Sequence, residues 1–309
     1  MRIGVMGSGA VGGYFGAKLA RNRHQVAFLA RGAHLAAMRA NGLQVKSPNG
    51  DLQIHDAQFT DDAASAGQVD LILFCVKSYD TEDAAETIKP MVADRTIILS
   101  LQNGIDNPAK LARVYGKQKV LPAVVYVGTQ LSAPGVISHT TGGRIVFGPL
   151  DGAVNDRIKT LEQTLNEAGI PSQSSSEIRR VQWTKLLWNA PFCAISCLIH
   201  ADTKQIVESE SLVKLAVACM TEVQTAARLD QVDLAVQLFD DVLDFSRSLG
   251  DFKPSMLQDL EAGKPLEYEA FNGYIVRLLK DAGQPAPVNE CFYRMLKFLD
   301  ARIRGEARN

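Results

Sequence analysis

The segment Gly7-Ser8-Gly9-Ala10-Val11-Gly12 constrains the fold of this 309-residue chain more than any other. It follows a short apolar run, Met1 to Met6 (MRIGVM), and precedes a stretch in which Val11, Tyr14, Phe15 and Leu19 recur at helical spacing. The order is strand, tight turn, helix, the context in which G-x-G-x-x-G has a physical meaning. The first glycine permits the sharp turn, the second lets backbone approach a pyrophosphate, and the third lets the helix pack closely on the sheet. The helix N-terminus supplies amide donors and the positive end of the dipole. Outside that context the same glycines would be a turn and nothing more. His24 to Ala30 (HQVAFLA) is a second strand candidate, so the opening unit reads β-α-β, with parallel strands and a helix crossing over them.

Further apolar runs at Asp70–Val76, Thr96–Leu101 and Val120–Val127 extend the pattern, with helical segments at Thr81–Met91 and Ile105–Tyr115. Strands that are apolar throughout suit a parallel sheet covered on both faces. Between Gly128 and Gly148 the turn signals Ala133-Pro134-Gly135 and Gly142-Gly143 predict short antiparallel strands appended at the sheet edge. A helix over Val154–Ala168 and a strand near Pro171 follow, then the polar, linker-like Ser172–Glu177. From Arg179 to Arg302 helical periodicity dominates. A chain of this length exceeds the usual size of a single core. The expectation is an α/β protein in two domains: a Rossmann-type doubly wound parallel sheet with an antiparallel extension over 1–176, and an all-α domain over 177–309. Together they are expected to enclose the active site.

Composition narrows the function. With 33 basic and 34 acidic residues the net charge is −1, which gives no broad positive field for nucleic acid or an anionic membrane. No run reaches membrane-spanning length and no signal peptide opens the chain, so cytoplasmic residence is expected. The five cysteines (Cys75, Cys193, Cys197, Cys219, Cys291) lack metal-ligand spacing and read as reduced, mostly buried thiols; no metal site is expected. Apolar helical positions fit either a core or a twin subunit, which leaves a homodimer open.

Dinucleotide sites that prefer NADH end the second strand in an acid that takes the ribose hydroxyls. Here the strand ends Leu29-Ala30-Arg31-Gly32, and an arginine suits a 2′-phosphate, so NADPH is expected over NADH. Ligands in open α/β sheets bind beyond the carboxyl ends of strands, where Lys77 and Asn103 stand. Taken alone, Lys77 is a solvated charge and Asn103-Gly104 a turn. Downstream, Trp183 to Phe192 (WTKLLWNAPF) sets Lys185 and Asn189 on one helical face among large apolar residues. Such a lysine either snorkels to solvent or lines a cleft, and Pro191 should bend the helix. Pro265 predicts a helix start that puts Glu267 in the first turn, where a carboxylate also suits the helix dipole.

With Ser255-Met256-Leu257-Gln258-Asp259 and Asn272-Gly273, this series of motifs resembles the ketopantoate reductase (2-dehydropantoate 2-reductase) family over about residues 1 to 300. The resemblance implies an oxidoreductase acting on CH–OH donors, which reduces 2-dehydropantoate to pantoate with NADPH in pantothenate and coenzyme A biosynthesis. It implies that Lys185 is the catalytic acid and that Glu267 holds the reacting hydroxyl. Asn103, Asn189 and Ser255 would grip substrate, while Arg31 and Lys77 contact NADPH beside Gly7 to Gly12. The helical domain would be like those of 6-phosphogluconate dehydrogenases. Family members that reduce ketopantoate show Lys-x-x-x-Asn-x-x-x-Asn in the lysine helix, and the last place here is Cys193. A thiol replaces an amide that donates and accepts, which keeps open a paralogue acting on another 2-oxo acid. A non-catalytic NADPH-binding sensor is the alternative of another class.

Overall fold

In the computed structural model, which describes residues 1–306, the early apolar runs become the strands of a single sheet. The strands are β1 (Arg2–Met6), β2 (Gln25–Leu29), β3 (Leu43–Lys46), β4 (Leu52–Ile54), β5 (Gln58–Thr60), β6 (Val69–Phe74), β7 (Val92–Ser100), β8 (Val120–Ala133), β9 (Val136–Phe147) and β10 (Ser172–Ser174). Six helices accompany them: α1 (Ala10–Arg21), α2 (Gly32–Asn41), α3 (Ala63–Ala66), α4 (Thr81–Thr87), α5 (Asn107–Tyr115) and α6 (Asp156–Glu167). The chain divides into two units, residues 1–103 with 107–178, and residues 104–106 with Arg179 onward.

In the first unit the sheet order is β4-β3-β9-β8-β7-β6-β1-β2-β5, with β10 beside β9. Every pair from β5 through β8 is parallel. The sequence order reverses at β1, whose neighbours are β2 and β6, and this is the switch point where a doubly wound sheet opens a crevice. Because strand side chains alternate in direction, Ile3, Val5, Leu71, Leu73, Ile97 and Leu99 enter one core. Ala27, Leu29, Ile72, Phe74 and Ile98 enter the core on the other face. Both faces are covered, so the strands read as unbroken apolar runs.

The extension differs from its expected form. It is one long hairpin, β8–β9, turning at Pro134-Gly135, where Gly135 has φ +77°. Gly142-Gly143 is no turn; both glycines lie inside β9 next to a slip of register between Tyr126 and Val127. Nor is the hairpin the edge. β3 pairs in parallel with β9, and β4 closes that side, antiparallel to β3. The linker-like Ser172–Glu177 begins as a strand, because Ser172 to Ser174 pair with Ile145 to Phe147 and need no apolar side chains for those backbone bonds.

The second unit contains α7 (Ile178–Ile199), α8 (Thr203–Glu208), α9 (Glu210–Leu229), α10 (Gln237–Ser248), α11 (Ser255–Glu261), a π-helical turn (Glu269–Gly273), α12 (Tyr274–Asp281) and α13 (Pro287–Ile303). Trp183, Leu187, Phe192, Met220, Val223, Phe271 and Leu296 lie in one core. Several polar groups are paired in it, although Asn272 Oδ1 is buried without a hydrogen-bond partner. Trp183 Nε1 donates to Asp230 at 2.6 Å, and Arg179 pairs with the same carboxylate. Glu222 accepts from the backbone amides of Val288 and Asn289, both at 2.8 Å, which places a negative charge at the N-terminus of α13. Among the described residues no helix is long and apolar enough to cross a membrane.

Candidate active site

The glycine loop is built as its sequence demands. Gly7 has φ +91°, and a β-carbon there would stand 2.8 Å from the Val76 amide nitrogen. A β-carbon on Gly12 would collide with the Gly7 carbonyl oxygen and sit 2.9 Å from Val5 Cγ1, so α1 can approach the sheet only as glycine. Gly9 is the contrast: nothing lies within 4 Å of the corresponding point. It is the N-cap of α1 without a side-chain cap bond, and no acid occupies the first turn, which starts at Ala10 and Val11. Open space, unscreened helix amides and no competing carboxylate fit the pyrophosphate of a dinucleotide. Ser8 is turned inward: its buried hydroxyl is 2.9 Å from the Leu29 carbonyl oxygen, and its amide donates to the same oxygen at 3.1 Å.

A residue with no sequence signal holds this loop. His34, on α2, accepts at Nδ1 from the amide of Gly135 at 2.9 Å, so its Nε2 carries the proton and donates to the Ser8 carbonyl at 2.7 Å. Its partners are 101 and 26 residues away in sequence.

Arg31 is the N-cap of α2, just beyond β2, with its side chain 90% exposed. Lys77, half-buried, follows β6 and caps a 3₁₀ turn over Ser78–Asp80. Asn103, half-buried, follows β7. Its carbonyl accepts from Asn107 Nδ2 at 2.7 Å, while the Thr81 hydroxyl, 3.0 Å from Asn107 Oδ1, accepts from Gln102 Nε2 at 2.8 Å. Thr81, Gln102 and Asn107 are all buried, so this relay of side chains sets the backbone at Asn103. The sequence singled out Asn103 but gave no hint of Thr81 or Asn107.

In the second unit Lys185, Asn189 and Cys193 follow one another along a face of α7 at four-residue intervals. Lys185 is half-buried, Asn189 is 5% exposed and Cys193 is fully enclosed. Burial pushes the Lys185 ammonium down to about 8, and nearby Cys193 and Glu267 partly restore it. These causes place the three groups in one electrostatic neighbourhood. Ser255 is the exposed first residue of α11.

Glu267 does not lie in a helical first turn. It is 4% exposed and two residues ahead of the π-helical turn. The Leu266 amide goes to Asp300 Oδ1 at 2.7 Å, and the Gly273 amide reaches back five residues to the Tyr268 carbonyl at 2.9 Å. No α-helix starts at Pro265; the Gly273 amide closes a wider turn instead, and the carboxylate stands just ahead of this π-turn, an arrangement frequent at functional sites. Inside that turn Asn272 donates to the Ala190 carbonyl at 3.2 Å and to Asn289 Oδ1 at 3.0 Å. It thereby ties the segment carrying Glu267 to α7 next to Pro191. Gly104, with φ +91°, packs against Ala270 of the same turn.

The chain matches two family models, ketopantoate reductase PanE/ApbA over residues 3–152 and the ketopantoate reductase PanE/ApbA C-terminal model over residues 177–300. The chain belongs to the ketopantoate reductase family. The 2-dehydropantoate 2-reductase of Mesorhizobium japonicum is 29% identical over 97% of this chain and 98% of its own. The crystal structure of a PanE/ApbA family ketopantoate reductase from Ralstonia eutropha superposes with a TM-score of 0.92 at 32% identity, covering 98% of this chain and 100% of the other. A D-mandelate dehydrogenase solved with NADH and anilino(oxo)acetate shares the fold, with a TM-score of 0.91 at 20% identity over 98% of this chain and 99% of its own. Ketopantoate reductases are NADP-dependent oxidoreductases acting on CH–OH donors, and this member has that class of activity.

Proposed function

We propose that this ketopantoate reductase family member reduces 2-dehydropantoate to pantoate with NADPH in the cytoplasm, the step that feeds pantothenate and coenzyme A synthesis. The observation that carries the proposal is Lys185, an amine lowered to about 8 by burial, beside a buried Glu267. Gly7 to Gly12, Arg31, Lys77 and Asn103 would hold the dinucleotide. When bound, the reduced nicotinamide supplies a hydride to the substrate's C2 carbon. Lys185, as ammonium, meets the charge that develops on the carbonyl oxygen and delivers the proton to it. Glu267 accepts a hydrogen bond from the nascent hydroxyl and keeps it turned toward the amine. Asn103, Asn189 and Ser255 offer neutral donors to the carboxylate and hydroxyl groups of a small acid.

The amine's acidity sets the pH dependence. Reduction needs the protonated lysine, which prevails below about pH 8 and is lost as pH rises through that value. Log kcat/KM for reduction is therefore flat below about pH 8 and falls above it, whereas that for hydroxy-acid oxidation, which needs the free amine, rises up to about pH 8 and is flat above it. Glu267 favours the charged lysine, so Glu267→Gln moves the alkaline limb to lower pH. Steady-state pH profiles in both directions check this; parallel limbs in the two directions contradict it.

Cys193 favours a second reading, a paralogue that prefers another 2-oxo acid. A thiol that is fully enclosed offers nothing to a distal hydroxyl such as that of 2-dehydropantoate. Initial rates of NADPH oxidation with 2-dehydropantoate and simpler branched 2-oxo acids, for wild type and Cys193→Asn, separate the two. The proposed activity predicts the highest kcat/KM with 2-dehydropantoate, raised further by the asparagine. A preference for the simpler acids that Cys193→Asn reverses assigns the paralogue.

A further inference from the structure

We propose that Asp80 is a specificity-determining residue that moderates the choice between phosphorylated and unphosphorylated dinucleotide, by sharing Arg31 with the 2′-phosphate. The proposal rests on the assignment of Arg31 to the dinucleotide site and deepens it. By sequence the end of β2 holds no acid, only Ala30-Arg31-Gly32. The fold supplies one from elsewhere. β2 and β6 both pair in parallel with β1, so the chain leaves both strands on the same side of the sheet. The loop after β6 then brings Asp80 Oδ2 to 3.5 Å from the Arg31 guanidinium, with side-chain exposures of 39% and 90%.

An ion pair this open holds little free energy, so it does not keep a phosphate out. It does set two opposed preferences at one place. A 2′-phosphate gains Arg31 and meets the Asp80 carboxylate as a like charge. A plain ribose hydroxyl finds in the same carboxylate the acceptor that NADH-preferring sites put at the end of the second strand. The pair therefore admits both dinucleotides, and Asp80 narrows the advantage that Arg31 gives to the phosphorylated one. Nothing in the local fold requires this acid, because Asp80 is the N-cap of α4 but makes no side-chain cap bond there.

The test is calorimetric titration of NADP⁺ and NAD⁺ into wild type, Asp80→Asn and Arg31→Ala, a readout independent of turnover. Asp80→Asn is expected to raise the ratio of the NAD⁺ to the NADP⁺ dissociation constant on the order of tenfold, mainly by tightening NADP⁺. A ratio that stays within about twofold of wild type, or that falls, overturns the proposal. Arg31→Ala tests the assignment beneath it: NADP⁺ should lose its advantage over NAD⁺ in that variant. If Arg31→Ala leaves NADP⁺ binding intact, the assignment fails and the proposal with it. If only Asp80→Asn is silent, the assignment stands and Asp80 is a bystander.

Discussion

Lys185→Ala is expected to lower kcat for 2-oxo acid reduction by roughly 10²–10⁴-fold, the range for loss of a positioned acid, while the NADP⁺ dissociation constant changes little. Two contributions vanish with one atom. In the proposed mechanism the ammonium compensates the oxyanion as hydride arrives, and the same group carries the proton that completes the hydroxyl. Both act in the transition state more than in the ground state, so the loss falls on kcat and kcat/KM alike. Lys185→Arg separates them. It keeps a cation, but guanidinium does not release its proton near neutrality, so most of the loss should remain and the alkaline limb near pH 8 should disappear. Single-turnover NADPH oxidation, with circular dichroism to confirm folding, is the measurement. An alanine variant that retains wild-type turnover removes the lysine from the chemistry.

The second large effect lies in the glycine loop, where two neighbouring substitutions should part company. Gly12→Ala drives a β-carbon into the Gly7 carbonyl oxygen and against Val5 Cγ1, so α1 must lift from the sheet. Overpacking of this kind costs about 1–3 kcal/mol of stability, and dinucleotide binding should fall with it. Gly9→Ala meets no atom within 4 Å in the protein alone, so its melting temperature should match wild type. Its β-carbon instead occupies the space into which the pyrophosphate must come, and NADP⁺ affinity should drop by about tenfold or more. Thermal melts and calorimetric titration of both variants check the pair. Undiminished NADP⁺ affinity in a stable Gly9→Ala protein would mean that the loop is only packing a helix on a sheet.

The legible parts of the molecule were those with a local cause. Periodicity and turn chemistry located α1, β1, β2, β6, β7 and the helices of the second unit, because each depends on residues a few positions apart. Residues 32 to 66 gave no such signal. Their three strands are only three or four residues long, and the 4-residue helix α3 is held by an Asp62 cap. The strand expected near Pro171 is β10, but it runs into the segment read as linker, because Ser172–Ser174 take their place from backbone pairing with β9, which polar side chains do not disclose. The first-turn position expected for Glu267 failed because the chain stays irregular through Glu267 and then closes a π-turn from Glu269, with the Gly273 amide on the Tyr268 carbonyl, a choice the local sequence does not disclose.

By itself the sequence determined that a tight glycine loop must join β1 to α1, since glycines at Gly7 and Gly12 after an apolar strand satisfy requirements of backbone angle and close approach that are set within six residues. It likewise determined that Lys185, Asn189 and Cys193 share a helix face, because a helix turns every 3.6 residues. What tertiary structure decided is everything that depends on partners remote in the chain: His34 on the Ser8 carbonyl, Thr81 and Asn107 behind Asn103, Glu267 near Lys185, and Asp80 against Arg31. Hydrogen bonds and charges act over a few ångströms regardless of separation along the chain, and only the folded arrangement fixes which groups come that close.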